Sequence, residues 1–361
     1  MTFATDARRV RDHGLPYSHR RTALRCAVGR HMPLGFTATW RYITGAAGPV
    51  MYRRDEALLR ALDILETSRA ARLREMEAFA ARRRSEKQRG YGVRHDEQRY
   101  RFGFRWYGPD SHEAMYQTVE TLWAEHKAQP FPGGSHALIT DALMADTYTA
   151  GCVHSYLHSG GRLTGGTRAI LRRCVADLHR GPFGGPESFQ YFRRLAKMAD
   201  LVLHDALPLI RRGWVGDAAA VRDVFLSATA GKPYLREAEP DAGSPGWIEG
   251  FLACGSSHEL WVAELRGRIV AFATLSIDQL GHLFVTPGLQ RQGIGTDLIV
   301  HAKRVRPGGL RLHAFQRDTD ACRFYERHGF TVSGLDDESG EPELTYSWQQ
   351  SGGGCGSRMD Q

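Results

Sequence analysis

The chain has 361 residues, enough for about two domains of ordinary size. Hydrophobic residues make up 42% and charged residues 24%, which excludes a disordered polyelectrolyte, and no apolar run approaches the ~18 residues of a membrane helix. The net charge of +8 is uneven: from Leu209 onward there are 16 Lys+Arg against 19 Asp+Glu, a net −3, so the first 208 residues carry +11.

Six cysteines (26, 152, 174, 254, 322 and 355) stand without C-x-x-C pairs, which argues against a zinc ribbon or disulfide scaffold and predicts no metal site. Met1 to Asp12 carries charge and no apolar core, so no signal peptide is expected. Together these features predict a cytoplasmic protein without a membrane partner.

Residues 1–50, rich in Arg, His and Gly, read as an irregular basic segment, and residues 51–208 as a mostly helical domain of unknown role. Asp55 to Lys87 has a helical pattern, with Leu58, Leu59, Leu62, Ile64, Leu65, Leu73, Met76 and Phe79 on its apolar face. It ends in Arg82-Arg83-Arg84, either a solvated helix end or a phosphate contact. Tyr100 to Tyr107 alternates aromatics with Arg101 and Arg105, as a half-buried strand or a base-stacking surface would. Ala137 to His158 and Thr167 to Arg180 read as helices joined by the glycine-rich 160–166, with Thr167 as the second helix's cap; Glu187 to Ala206 reads as another. His154 and His158 have i, i+4 spacing near Cys152 but lack an acidic partner for an H-E-x-x-H site. A nucleic-acid or acidic partner for this basic half is one reading of its charge; an arginine-rich genome is another.

From Leu209 the pattern alternates. Asp217 is placed to cap a helix over 218–226. Strands are expected at 259–264, 268–275, 280–285, 310–315, 330–332 and 344–348, with Arg266-Gly267 as a hairpin turn. Between the third strand and a helix starting near Asp297 stands Gln290-Arg291-Gln292-Gly293-Ile294-Gly295-Thr296. Glycines there permit a tight turn, and free amides at a helix N-terminus bind phosphate. No lysine follows Gly295, so this is not a Walker A loop, and no G-x-G-x-x-G is present. Downstream stands Asp320-Ala-Cys-Arg-Phe-Tyr-Glu-Arg-His-Gly-Phe330.

This ordered pair of segments resembles the GNAT family of CoA-dependent N-acetyltransferases, over about residues 209–348. The resemblance implies an α/β (mixed α+β) chain: a C-terminal mixed β-sheet flanked by helices, preceded by a mostly α-helical N-terminal domain. It implies an acyltransferase with acetyl-CoA as co-substrate and a small-molecule or protein amine as acceptor, by direct attack in a ternary complex. A homodimer is a further expectation. For the cofactor it implies the backbone of Phe284 and Val285 beside the pantetheine, and Gln290, Arg291, Gln292, Gly293, Ile294, Gly295 and Thr296 at the diphosphate. Tyr325 matches the tyrosine that protonates the leaving thiolate. Asp318 stands where the family often carries asparagine, and an ionised carboxylate cannot donate as an amide does. The candidate bases are His282 and Asp278, with Gln279 beside them; a histidine suits the task by its near-neutral pKa. Cys254 and Cys322 need no nucleophilic role, and Cys322 reads as packing. The alternative to an enzyme is a regulatory protein with a CoA-sensing or degenerate domain. Residues 349–361 read as a disordered tail.

Overall fold

The computed structural model describes residues 2–48, 50, 54–88, 105–132, 136–180, 186–238, 244–252, 258–337 and 341–350. The chain divides into two compact units, Met1–Pro208 with Leu265–Gly267, and Leu209–Glu264 with Arg268–Gln361. No helix among the described residues is long and apolar enough to cross a membrane.

The first unit is helical: α1 (Phe3–Arg11), α2 (Tyr17–Arg30), α3 (Phe36–Ala47), α4 (Asp55–Gln88), α5 (Ser111–Lys127), α6 (His136–His158), α7 (Gly165–Arg180) and α8 (Pro186–Ala206). The expected irregular segment at 1–50 is therefore replaced by three helices. Their apolar stripes are narrow and partly built from alanine, as with Ala23, Leu24, Ala27 and Val28 on α2, all buried. Such stripes scarcely rise above the surrounding arginines in a hydropathy pattern. Thr2 caps α1, its Oγ1 accepting from Thr5 N–H at 3.3 Å. Helix α5 was not anticipated either; it buries Ala114, Met115, Thr118 and Val119. Helix α7 starts two residues earlier than expected, because Thr164 and not Thr167 supplies the cap: its Oγ1 accepts Thr167 N–H at 3.3 Å.

Two of the three arginines ending α4 are engaged locally. Arg82 is buried 3.6 Å from Glu86, and Arg83 also pairs with Glu86. Arg82 is thus not solvated as a plain helix end would be. In the expected strand at 100–107, residues 100–104 lie outside the described residues, and Arg105 to Tyr107 form no strand; all three are buried.

His31 in this unit is buried, its Nε2 3.1 Å from Ser68 Oγ. Burial, with Arg72 and Arg69 as positive neighbours, lowers its pKa from 6.5 to about 4. In the unfolded chain the ring takes a proton near 6.5. The stability carried by the neutral ring is therefore complete above that pH and lost as pH falls toward 4. Urea unfolding of the full chain at pH 7 and pH 4.5 should show a loss at the lower pH, on the order of 3 kcal/mol from this residue. Replacing His31 with Gln should flatten that part of the slope; an unchanged slope would refute the assignment.

The second unit holds two sheets. One has the order β1-β2-β3-β4, with β1 (Leu209–Arg212), β2 (Glu259–Leu265), β3 (Arg268–Leu275) and β4 (Leu280–Val285). The other has the order β5-β7-β6, with β5 (Leu310–Phe315), β6 (Thr331–Asp336) and β7 (Glu343–Trp348). Beside them lie α9 (Ala218–Ala228), α10 (Pro233–Ala238), α11 (Pro245–Leu252), α12 (Ile294–Val305) and α13 (Thr319–Arg327). The β2–β3 turn has both Arg266 (φ 52) and Gly267 (φ 77) in the left-handed region, which matches the twist of a two-residue hairpin.

Side-chain alternation along the strands puts helices on both faces. Leu260, Val262 and Phe272 pack with Val221, Val224 and Phe225 of α9 and Ile248 of α11. Trp261, between Leu260 and Val262, faces the other way and lies 4.1 Å from the ring of His301 on α12.

Asp217 does not cap α9 with its side chain. Both of its oxygens are spent on Arg211, at 2.6 and 2.9 Å, and one also accepts Trp214 N–H at 3.0 Å. Arg211 in turn donates to Glu264 at 2.9 Å, and all three side chains are buried. Burial opposes the guanidinium charge, but the two carboxylates more than offset this and raise its pKa above the ordinary value.

Candidate functional site

Strands β4 and β5 start side by side. A single parallel bridge, Gln279↔Arg311, joins the two sheets there. Asp278 reinforces it: its C=O accepts Arg311 N–H at 2.7 Å, and its carboxylate pairs with the Arg311 guanidinium. Beyond the bridge, β4 is paired with β3 from Leu280 to Val285, while β5 is paired with β7. The β5-facing edge of β4 thus has no strand partner among the described residues, and on it Val285 O is met by the Gln290 side chain instead.

The loop beyond β4 turns on itself. Thr286 N–H bonds Val270 O at 2.9 Å, and a 3₁₀ turn over Pro287–Leu289 follows. Arg291 (φ 61) and Gly293 (φ 83) are both left-handed, and α12 starts at Ile294. Arginine pays for that conformation, whereas glycine does not. The first bond of the helix runs from Asp297 N–H to Gly293 O at 3.0 Å. The N–H groups of Ile294, Gly295 and Thr296 precede it and point out of the helix end, where its dipole is positive.

The loop's side chains divide their tasks. Gln290 folds back, its Nε2 donating to Val285 O at 3.1 Å, and Gln292 Nε2 donates to Gly288 O at 3.2 Å. Arg291 is 88% exposed, 3.7 Å from Asp320. Ile294 is buried, so its side chain packs inward and not toward a ligand. Gly295 has a packing reason for being glycine: a Cβ there would lie 3.2 Å from Phe324 Cζ. Thr296 Oγ1 lies 3.1 Å from His328 Nε2.

Asp318 caps α13, its Oδ1 accepting Ala321 N–H at 3.2 Å. Its other oxygen accepts from Lys232 Nζ at 2.5 Å and Tyr234 OH at 3.3 Å. The negative charge that would repel an anionic cofactor is therefore matched by a lysine 86 positions away. Burial, then Asp318, push the Tyr234 phenol up to about 12. Tyr325 lies in the last turn of α13, its ring among Phe324, Phe330 and Tyr346. Burial raises its pKa above the ordinary phenol value, and Asp318 and Cys322 add to the shift. Cys322 is buried with its Sγ 3.6 Å from Phe315 O, a packing position; Cys254 lies outside the described residues.

Of the candidate bases, His282 lies on β4 with its Nδ1 2.8 Å from Thr274 Oγ1. Its ring meets Trp247 at 5.1 Å and Phe251 at 5.6 Å, both on α11. Asp278 is at the closed end, engaged by Arg311. Tyr325, His282 and Asp278 make no hydrogen bond to one another. Sequence reasoning assigns Lys232, Tyr234 and His328 no role beside the cofactor loop. Lys232 and Tyr234 sit in a stretch of mixed charge, and nothing local announces their pairing with Asp318. His328 could have been found from its place beside Gly329 at the end of α13.

Residues 256–332 match the family model described as an acetyltransferase (GNAT) domain. Over 86 residues the chain is 36% identical to the peptidyl-lysine N-acetyltransferase YjaB of Salmonella typhimurium, covering 23% of this chain and 59% of that protein. The chain thus spans little more than half the length of this curated relative. The solution structure of apo YjaB from Escherichia coli is 24% identical, with a TM-score of 0.34, over 40% of this chain and 99% of that one. A PaiA N-acetyltransferase from Thermoplasma acidophilum, solved in complex with coenzyme A, is 18% identical with a TM-score of 0.34, over 39% and 99%. Residues 1–208 lie outside the family match. Within residues 256–332, this chain carries a GNAT acetyltransferase domain.

Proposed function

We propose that the unit beginning at Leu209 is an acyl-CoA-dependent N-acyltransferase that moves acetyl from acetyl-CoA to a primary amine of a small molecule or a protein. The observation that carries this reading is the unpartnered edge of β4 running into the free amides of α12. A pantetheine amide can pair with the backbone of Phe284 and Val285 as a strand would. A diphosphate can take the N–H groups from Arg291 to Thr296, with the Arg291 guanidinium added. The curated relative's name, a peptidyl-lysine acetyltransferase, is consistent with a lysine acceptor.

The reaction is direct. The neutral amine attacks the thioester carbonyl, the C–S bond breaks, and the amide forms without an acyl-enzyme. Tyr325 gives its proton to the departing sulfur, and burial keeps the phenol protonated. Because a phenol is a weaker acid than a thiol, the transfer depends on the sulfur being held against its hydroxyl. His282 takes the proton lost by the amine, directly or through water. Asp278, engaged with Arg311, holds the closed end of the two strands, and Asp318 with Lys232 fixes the start of α13.

Calorimetry with acetyl-CoA tests the reading. The wild type should bind, and Gly293→Trp, placing a large side chain at a left-handed residue on the loop, should abolish binding while thermal unfolding stays cooperative. A well-folded wild type that does not bind acetyl-CoA would refute the assignment.

A further inference from the structure

His328 is held from two sides. Its Nδ1 lies 2.7 Å from Phe324 O, and its Nε2 3.1 Å from Thr296 Oγ1. A carbonyl only accepts, so Nδ1 carries the proton in the neutral ring and Nε2 is left as an acceptor. Thr296 must then spend its single O–H on His328, and its hydroxyl has no proton to offer toward the helix end. When the ring is protonated, Nε2–H donates instead. Thr296 Oγ1 accepts it, and its own O–H is released.

Thr296 belongs to the first turn of α12, among the amides assigned above to the diphosphate. We propose that His328 is a positioning residue for that diphosphate, acting through Thr296, and that protonation of its ring tightens binding by turning the threonine hydroxyl into a donor. The inference rests on the acyl-CoA reading of this loop. The charged residues nearest in sequence to the Thr296–His328 contact are Asp297 on α12 and Glu326 and Arg327 on α13. On α12, Lys303 donates to the His328 carbonyl; on α13 the ring meets Phe324, 4.5 Å away; and across the loop Arg291 and Asp320 already face each other. A bound anion adds a negative partner for the protonated ring, so ligand and proton should bind cooperatively.

The test uses dephospho-CoA, which keeps the diphosphate and lacks the separately titrating 3′-phosphate. Its Kd for the full chain, measured by calorimetry, should be about tenfold lower at pH 6 than at pH 8, the worth of one charge-assisted hydrogen bond. His328→Gln and Thr296→Val should each remove the pH difference, and the double variant should do no more than either. Acetyl-pantetheine, which has no diphosphate, should bind the wild type and His328→Gln alike. A pH difference that survives in His328→Gln, or an equal loss of acetyl-pantetheine binding in that variant, would overturn the proposal while leaving the acyl-CoA reading standing. Failure of the wild type to bind dephospho-CoA at either pH would remove both.

Discussion

Replacing Tyr325 with Phe is expected to lower kcat for acetyl transfer by about 10²-fold or more, with little change in the Kd of acetyl-CoA. The substitution deletes one oxygen from a ring already seated among Phe324, Phe330 and Tyr346, so packing should survive. What is lost is the proton for the leaving thiolate, which then departs as an anion into a site built to hold other anions. Because burial raises the phenol's pKa, the wild-type rate should show no alkaline fall from this residue below about pH 10. Release of free thiol at saturating amine, followed against pH, checks both statements. A variant with full kcat would place the acid elsewhere, and an alkaline limb near pH 8 that vanishes in the variant would contradict the raised pKa.

The largest stability effect is expected at a residue far from any proposed chemistry. Arg211→Ala should destabilise the C-terminal unit by about 3–5 kcal/mol, because it strands two buried carboxylates, Asp217 and Glu264, without their cation. For a unit of this size that is a fall in Tm on the order of 10 °C. Arg211→Met combined with Asp217→Asn and Glu264→Gln should recover much of the loss, since the penalty lies in the unpaired charges more than in the missing contacts. Thermal unfolding at pH 7 and low salt measures it. A single variant with unchanged Tm would show that water reaches the site and solvates the acids.

The legible parts of this fold were those whose signal is local. The strands at 259–264, 268–275, 280–285 and 310–315 carry runs of apolar and β-branched residues bounded by turns, and they lie within a residue or so of β2 to β5. The loop at 290–296 announces itself by its glycines. The reason for the second glycine did not: Gly295 is small because Phe324, 29 positions later, packs against it. Asp318 shows the same limit. Its sequence position marks a departure from the family's usual residue, but the compensating Lys232 stands just before a six-residue helix too short to give a strong period. Asp217 fits a helix cap in sequence, and a buried arginine took it for another use. The three N-terminal helices were hidden because arginine and histidine crowd the short alanine-containing stripes that fold them.

The order of the second sheet bears on how the chain can be made. Strand β7 lies between β5 and β6, pairing with Leu310 to Phe315 on one side and Thr331 to Asp336 on the other. The strand synthesised last is thus the middle one. During translation β1 to β4 can assemble as they emerge, while β5 and β6 wait with open edges until Glu343 to Trp348 leaves the ribosome. A nascent chain paused just before Glu343 would expose two unpaired strands and be open to capture by a chaperone or by another copy of itself. The family match stops at residue 332, so an expression boundary drawn there would remove β7 and most of β6 and leave β5 without its partner.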